Sequence, residues 1–202
     1  MKKLSSLAVG LVALVFVGVA PAATITIDAS AFASGDRFVT CEGIACQGFF
    51  DENYDSNVVV GASYTAFDNL ILDDGSATAW NLRPSDETTI WNFLNNMLAA
   101  LDPVRDAVAF STVQKFDGTQ PEGFTFSTVQ EYFWIKQDQW TAFFVNPNPG
   151  QQVTVRITGG GLSNYGVAGV PIPAAFVLFG SGLVGLGWLA RRQRARKEES
   201  VA

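Results

Sequence analysis

Histidine is absent from all 202 residues, and cysteine and methionine occur only twice each. Without an imidazole the chain cannot build a Ser-His-Asp or Cys-His relay, nor a histidine-ligated metal site. No glycine-rich phosphate loop follows a strand and opens a helix. Basic residues are scarce between the two ends. Residues 23–169 hold 17 acidic against 6 basic side chains, a balance of −11, while the whole chain stands at −6. This acidity argues against nucleic acid and anionic polymers as partners, and it suits a solvated extracellular domain able to attract divalent cations. A glycosidase-like carboxylate pair is compatible with the composition. Seventeen acids on a solvated surface supply such pairs by chance, however, so no enzyme is expected and no catalytic residue is assigned.

The two ends carry clearer messages. Met1-Lys2-Lys3 precedes an apolar run from Leu7 to Val19, followed by Ala20-Pro21-Ala22-Ala23. A positive start, a short apolar stretch and a small-x-small exit make a secretory signal peptide. Cleavage is expected after Ala22. The run is short for a full membrane span, which needs about 20 residues, and no cysteine follows the cut to accept a lipid.

At the far end, Val167 to Ala190 contains no charged residue, and Arg191, Arg192, Arg194, Arg196 and Lys197 follow at once. An apolar run of spanning length with basic residues on one side predicts a transmembrane helix whose C-terminus stays in the cytoplasm. Glycine and serine at 180, 181, 182, 185 and 187 weaken its insertion. They also offer a face that another helix can approach closely.

Val170-Pro171-Ile172-Pro173-Ala174-Ala175, then Phe176-Val177-Leu178-Phe179-Gly180-Ser181-Gly182-Leu183, then the arginine cluster, resembles the C-terminal sorting signal of the PEP-CTERM family in its V-P-x-P-A form. The resemblance spans about residues 170–195. Ile172 stands where the P-E-P form has an acid. What the resemblance implies is a signal read by an exosortase-type membrane protease and a link to exopolysaccharide and biofilm in Gram-negative bacteria. The chain would pass through an inner-membrane intermediate and then reach the cell envelope or the outside.

Between these ends the pattern is mainly β. Alternation marks strands at 24–28, 124–129 and 152–157, and apolar runs bounded by turn residues mark others at 58–60, 65–72, 132–136 and 140–145. Gln137-Asp138-Gln139 joins two of them as a hairpin. Ser85-Asp86-Glu87 ahead of Ile90, Phe93, Leu94, Met97, Leu98 and Leu101 predicts one amphipathic helix with a serine cap, ending before Pro103. Together these predict an antiparallel, jelly-roll-like β-sandwich over 23–158. Residues 159–169, rich in glycine, read as a flexible stalk before the sorting signal at 170–197.

Three candidate sites lie in that domain. Cys41 and Cys46, with four residues between them in an exported chain, are expected to pair as a disulfide. Asp51, Asn53, Asp55 and Asn57 alternate as in the first half of a calcium loop, yet Ser56 replaces the turn glycine and Ala62 the chelating glutamate. Calcium is therefore the one cofactor candidate, beside a plain polar turn. Trp134 and Trp140 on the hairpin are candidates for stacking on a glycan if one face of the hairpin is exposed, but a sandwich core easily absorbs both faces, and core is the favoured reading.

Overall fold

The computed structural model describes residues 22–35 and 37–170. Strands and helices follow in the order β1 (Ala23–Asp28), α1 (Ser30–Ser34), β2 (Phe38–Gly43), β3 (Gln47–Asp51), β4 (Val59–Val60), β5 (Leu70–Asp74), β6 (Ser76–Thr78), β7 (Trp80–Leu82), α2 (Glu87–Ala100), β8 (Gln114–Gln120), β9 (Thr125–Thr128), β10 (Tyr132–Gln137), β11 (Trp140–Val145), β12 (Val153–Thr158) and β13 (Leu162–Ala168). They form two sheets. The smaller has five strands ordered β6-β2-β1-β12-β9. The larger has eight and runs β4-β7-β11-β10-β13-β8, with β3 beside the far half of β11 and β5 beside β3.

The inner faces of both sheets share one core. Ile25 and Ile27 of β1 and Val153, Val155 and Ile157 of β12 meet Phe133 and Ile135 of β10 and Ala142 and Phe144 of β11. This is the period-two pattern at work: alternate residues of each strand turn inward. A second core lies on the other face of the large sheet. There Tyr132, Trp134, Phe143 and Val145 pack with Ile90, Phe93, Leu94, Met97 and Leu98 of α2. Those helix residues recur at the three- and four-residue spacing of one apolar face. Each fully buried Phe, Leu or Ile among them is worth about 1.5–3 kcal/mol of apolar transfer.

The cap of α2 falls one residue later than the sequence suggests. Asp86, rather than Ser85, caps the helix, its Oδ1 accepting from the Thr89 amide at 2.9 Å. That bond favours the ionised form and lowers the Asp86 carboxyl below its usual range. Asparagines then bolt the helix to its surroundings. The Asn95 side chain bonds both the amide and the carbonyl of Val108, and Asn96 donates to the Ala62 and Tyr64 carbonyls.

Four expectations are corrected. The sheets are not wholly antiparallel: β1 runs parallel to β12, with Ala23 opposite Val153 and Asp28 opposite Thr158, and β4 runs parallel to β7. Only hairpin neighbours are bound to antiparallel pairing by a tight turn; strands from distant parts of the chain are not. A second, five-residue helix, α1, follows β1. The expected stalk over 159–169 contains β13, which lies between β10 and β8 in the large sheet. Its glycines answer to packing instead of flexibility, as Gly166 shows below. The uncharged run from Val167 accordingly opens inside the fold, because Val167 and Ala168 belong to β13.

Among the described residues no helix is long and apolar enough to cross a membrane. The signal peptide and the span expected after the proline motif lie outside the described residues.

Candidate functional site

The hairpin is formed as its sequence suggests, with Asp138 at φ 53° in the two-residue turn between β10 and β11. Its tryptophans, however, are core. Trp134 is 0 % exposed and Trp140 7 %. Trp134 packs on the α2 side and Trp140 between the sheets, so both faces of the hairpin are covered. A ring stacks on a sugar only through an open face, so the glycan role of Trp134 and Trp140 is withdrawn.

Cys41, in β2, is bonded to Cys46, just before β3. The Cys41 amide donates to the Gly75 carbonyl at 2.8 Å, and the Gly75 amide donates to the Cys46 carbonyl at 3.1 Å. The small loop is thus pinned at both ends by one residue of the β5–β6 connection.

The loop from Asp51 is built from two side-chain turns. Asp51 Oδ1 accepts from the Asn53 amide at 3.1 Å, and Asp55 Oδ1 accepts from the Asn57 amide and side chain, each at 2.9 Å. Asp51 is buried, whereas Asn53, Asp55 and Asn57 are exposed, so the four side chains do not share one environment. Burial pushes the Asp51 carboxyl up and nearby Asp68 adds to this, against the pull of the Asn53 and Tyr54 amides and of Arg37. Among the described residues no group of three or more His, Cys, Asp or Glu side chains is placed to hold a metal ion. Of the sorting motif, Val170 closes the described fold; Pro171, Ile172, Pro173, Arg191, Arg192, Arg194, Arg196 and Lys197 lie outside it.

The hollows of the molecule are elsewhere. One of about 530 Å³ lies beside α1, where Arg37 sits 4.8 Å above the Phe38 ring and Phe38 stacks on Phe50 at 4.9 Å. The second, of about 440 Å³, opens where the edge strand β8 of the large sheet faces the edge strand β9 of the small one. Its aromatic wall is a stair of three rings. Phe116 stacks on Tyr165 at 4.9 Å and 16°, and Tyr165 stacks on Phe126 at 4.6 Å and 28°. No family of proteins, no curated protein and no solved structure matches this chain. Function is therefore argued from the geometry of the chain itself.

Two features escaped the sequence reading. The stair draws on Phe116, the one apolar residue of an otherwise polar strand, and on Tyr165, inside the glycine-rich stretch. Lys136, only 7 % exposed, stands in a row with Asn164 and Thr141 across β13, β10 and β11. Asn164 Oδ1 and Thr141 Oγ1 are buried there without a hydrogen-bond partner. Burial depresses the Lys136 ammonium to about 8; Arg83 and Lys115 push the same way and Asp138 opposes them.

Proposed function

We propose that this chain is an exported, non-enzymatic envelope or extracellular-matrix protein of a Gram-negative bacterium, associated with exopolysaccharide or biofilm. A signal peptidase removes residues 1–22. An exosortase-type membrane protease then reads and cuts the C-terminal signal, whose helix and basic tail hold the chain temporarily in the inner membrane. The cargo is a jelly-roll-like β-sandwich.

The observation that carries this reading is the agreement of two boundaries. The cleavage site after Ala22 and the signal starting at Val170 follow from sequence patterns alone. Among the described residues the first strand begins at Ala23 and the last ends at Ala168. Gly169 is then tied on both sides to Thr112, whose hydroxyl donates to the Gly169 carbonyl and accepts from its amide. All the described strands of both sheets lie between the two expected cuts.

Mass spectrometry of the mature protein tests this, in cells with and without the membrane protease. The expected chain starts at Ala23 and ends near the proline motif only when the protease is present. An intact tail ending at Ala202 in its presence would overturn the sorting reading.

A further inference from the structure

The groove between β8 and β9 has the makings of a ligand site that no targeting signal requires. Its volume of about 440 Å³ lies within the roughly 300–1,000 Å³ usual for small-ligand clefts. Val129 and Gln130 also line a neighbouring hollow of about 360 Å³ that reaches Pro149 and Gly150. The two hollows are neighbours that share these two residues, and the second also takes in Glu131.

The chemistry of the lining is specific. Phe116 is 42 % exposed, and Tyr165 covers one face of its ring. Tyr165 and Phe126 stack behind it and hold its orientation. Gln114 and Gln130 flank the rings, and neither side-chain amide is engaged in a hydrogen bond among the described residues. Each such amide offers two donors and an acceptor. No Asp, Glu, Lys or Arg lines the groove. A flat aromatic face beside unspent amides, with no charge between them, fits a ligand having an apolar C–H face and a rim of neutral hydroxyls. That ligand is a pyranose.

We propose that this groove binds a neutral polysaccharide, with one sugar ring stacked on Phe116 and its hydroxyls bonded to Gln114 and Gln130. Charge selects against the alternatives. The surrounding domain carries a balance of −11 over residues 23–169, so uronate or phosphate polymers meet repulsion with no local cation in the groove to offset it. This rests on the envelope reading only in placing the protein where such polymers are found.

Affinity electrophoresis of the full chain in detergent tests the idea, with gels containing hydroxyethylcellulose, galactomannan or mixed-linkage β-glucan, and alginate as the charged control. At least one neutral polymer is expected to retard the protein, and alginate is not. Phe116→Ala and Gln114→Ala should each weaken retardation roughly tenfold, and Phe116→Trp should preserve it. Val59→Ala, on the exposed far edge, should leave it unchanged. Both groove positions are exposed, and circular dichroism and melting curves matching the parent would show that the fold is kept; should Phe116→Ala misfold, Gln114→Ala decides. Retardation that survives both groove variants would sink the proposal, as would binding to alginate alone or to nothing. Self-association lost in Phe116→Ala without any glycan retention would assign the groove to a second copy instead, and would equally overturn it. Failure of the sorting reading would show in the mass of the C-terminus and leave these gels unaffected.

Discussion

Trp134 of β10 fills the space directly over Gly166 of β13, its partner in the strand register. A Cβ at position 166 would overlap the six-membered ring of the indole and crowd the Gln114 carbonyl of β8 at 2.5 Å. The glycine in the apparent stalk and the tryptophan on the hairpin thus answer one another. One leaves a gap and the other occupies it.

Gly166→Ala should therefore destabilise the domain by about 1–3 kcal/mol, the usual range for overpacking a filled core. Trp134 is wholly buried and the Gln114 carbonyl is backbone, so neither can step aside freely. Midpoints of denaturant unfolding, compared at unchanged slope, measure the loss. A variant as stable as the parent would mean that β13 does not sit beneath that ring.

A truncation series asks the same question of the whole strand. A chain ending at Val170 should fold and melt as the parent does. One ending at Gly161 loses β13, which separates β10 from β8 and covers Trp134. It should be unfolded or insoluble, as far-ultraviolet circular dichroism and proteolysis would show. A folded chain ending at Gly161 would restore the stalk.

How much of this was legible beforehand depends on how a strand is buried. β1, β9 and β12 have one face in the core and alternate along the sequence, so their positions emerge within a residue or two. β10 and β11 are apolar on both faces and still stand out, but their doubly buried setting does not. A run such as Tyr132 to Ile135 reads the same whether its second side meets α2 or solvent. β8 and β13 are the opposite case. Gln114–Gln120 is an exposed edge with a single aromatic, and glycine at 166 serves a contact with Trp134 that local pattern cannot reveal. Two of the three rings of the aromatic stair, Phe116 and Tyr165, come from those strands, and the stair was invisible for that reason. The parallel pairing of β1 with β12 joins residues over a hundred positions apart and leaves no local mark.

Removing the disulfide should hurt only modestly. For a loop with a sequence separation of 5, chain entropy predicts about 2 kcal/mol. The two backbone bonds to Gly75 remain to hold the loop's shape. Cys41→Ala with Cys46→Ala should accordingly fold, with its unfolding free energy reduced by about 2 kcal/mol, and reducing agent should shift the parent but leave the double variant unmoved. Collapse of the fold on reduction would show that the bridge does more than close a small loop.

Alkaline pH should first stabilise the protein and then destabilise it, because two buried groups act with opposite signs. Burial lowers the Lys136 ammonium to about 8 in the folded chain, against about 10.4 when unfolded. Between those values the unfolded chain holds more protons, so stability rises with pH. The buried ammonium, pressed by Arg83 and Lys115, is then relieved of its charge. Tyr54 behaves conversely. Burial pushes its hydroxyl up to about 12, and that hydroxyl donates to the Val58 carbonyl and accepts from the Asn81 amide. Tyr132 is raised in the same direction by burial. Above about 10 the unfolded chain loses phenol protons that the folded one retains, and stability falls. Denaturant midpoints from pH 7 to 11 should climb between 8 and 10, by on the order of 1 kcal/mol once solvent screening is allowed for, and then drop. Lys136→Met keeps the length of the side chain without the charge, so it should remove the climb and keep the drop. A climb that persists in Lys136→Met would place the titrating group elsewhere and leave the ammonium at 136 without a role in the pH response.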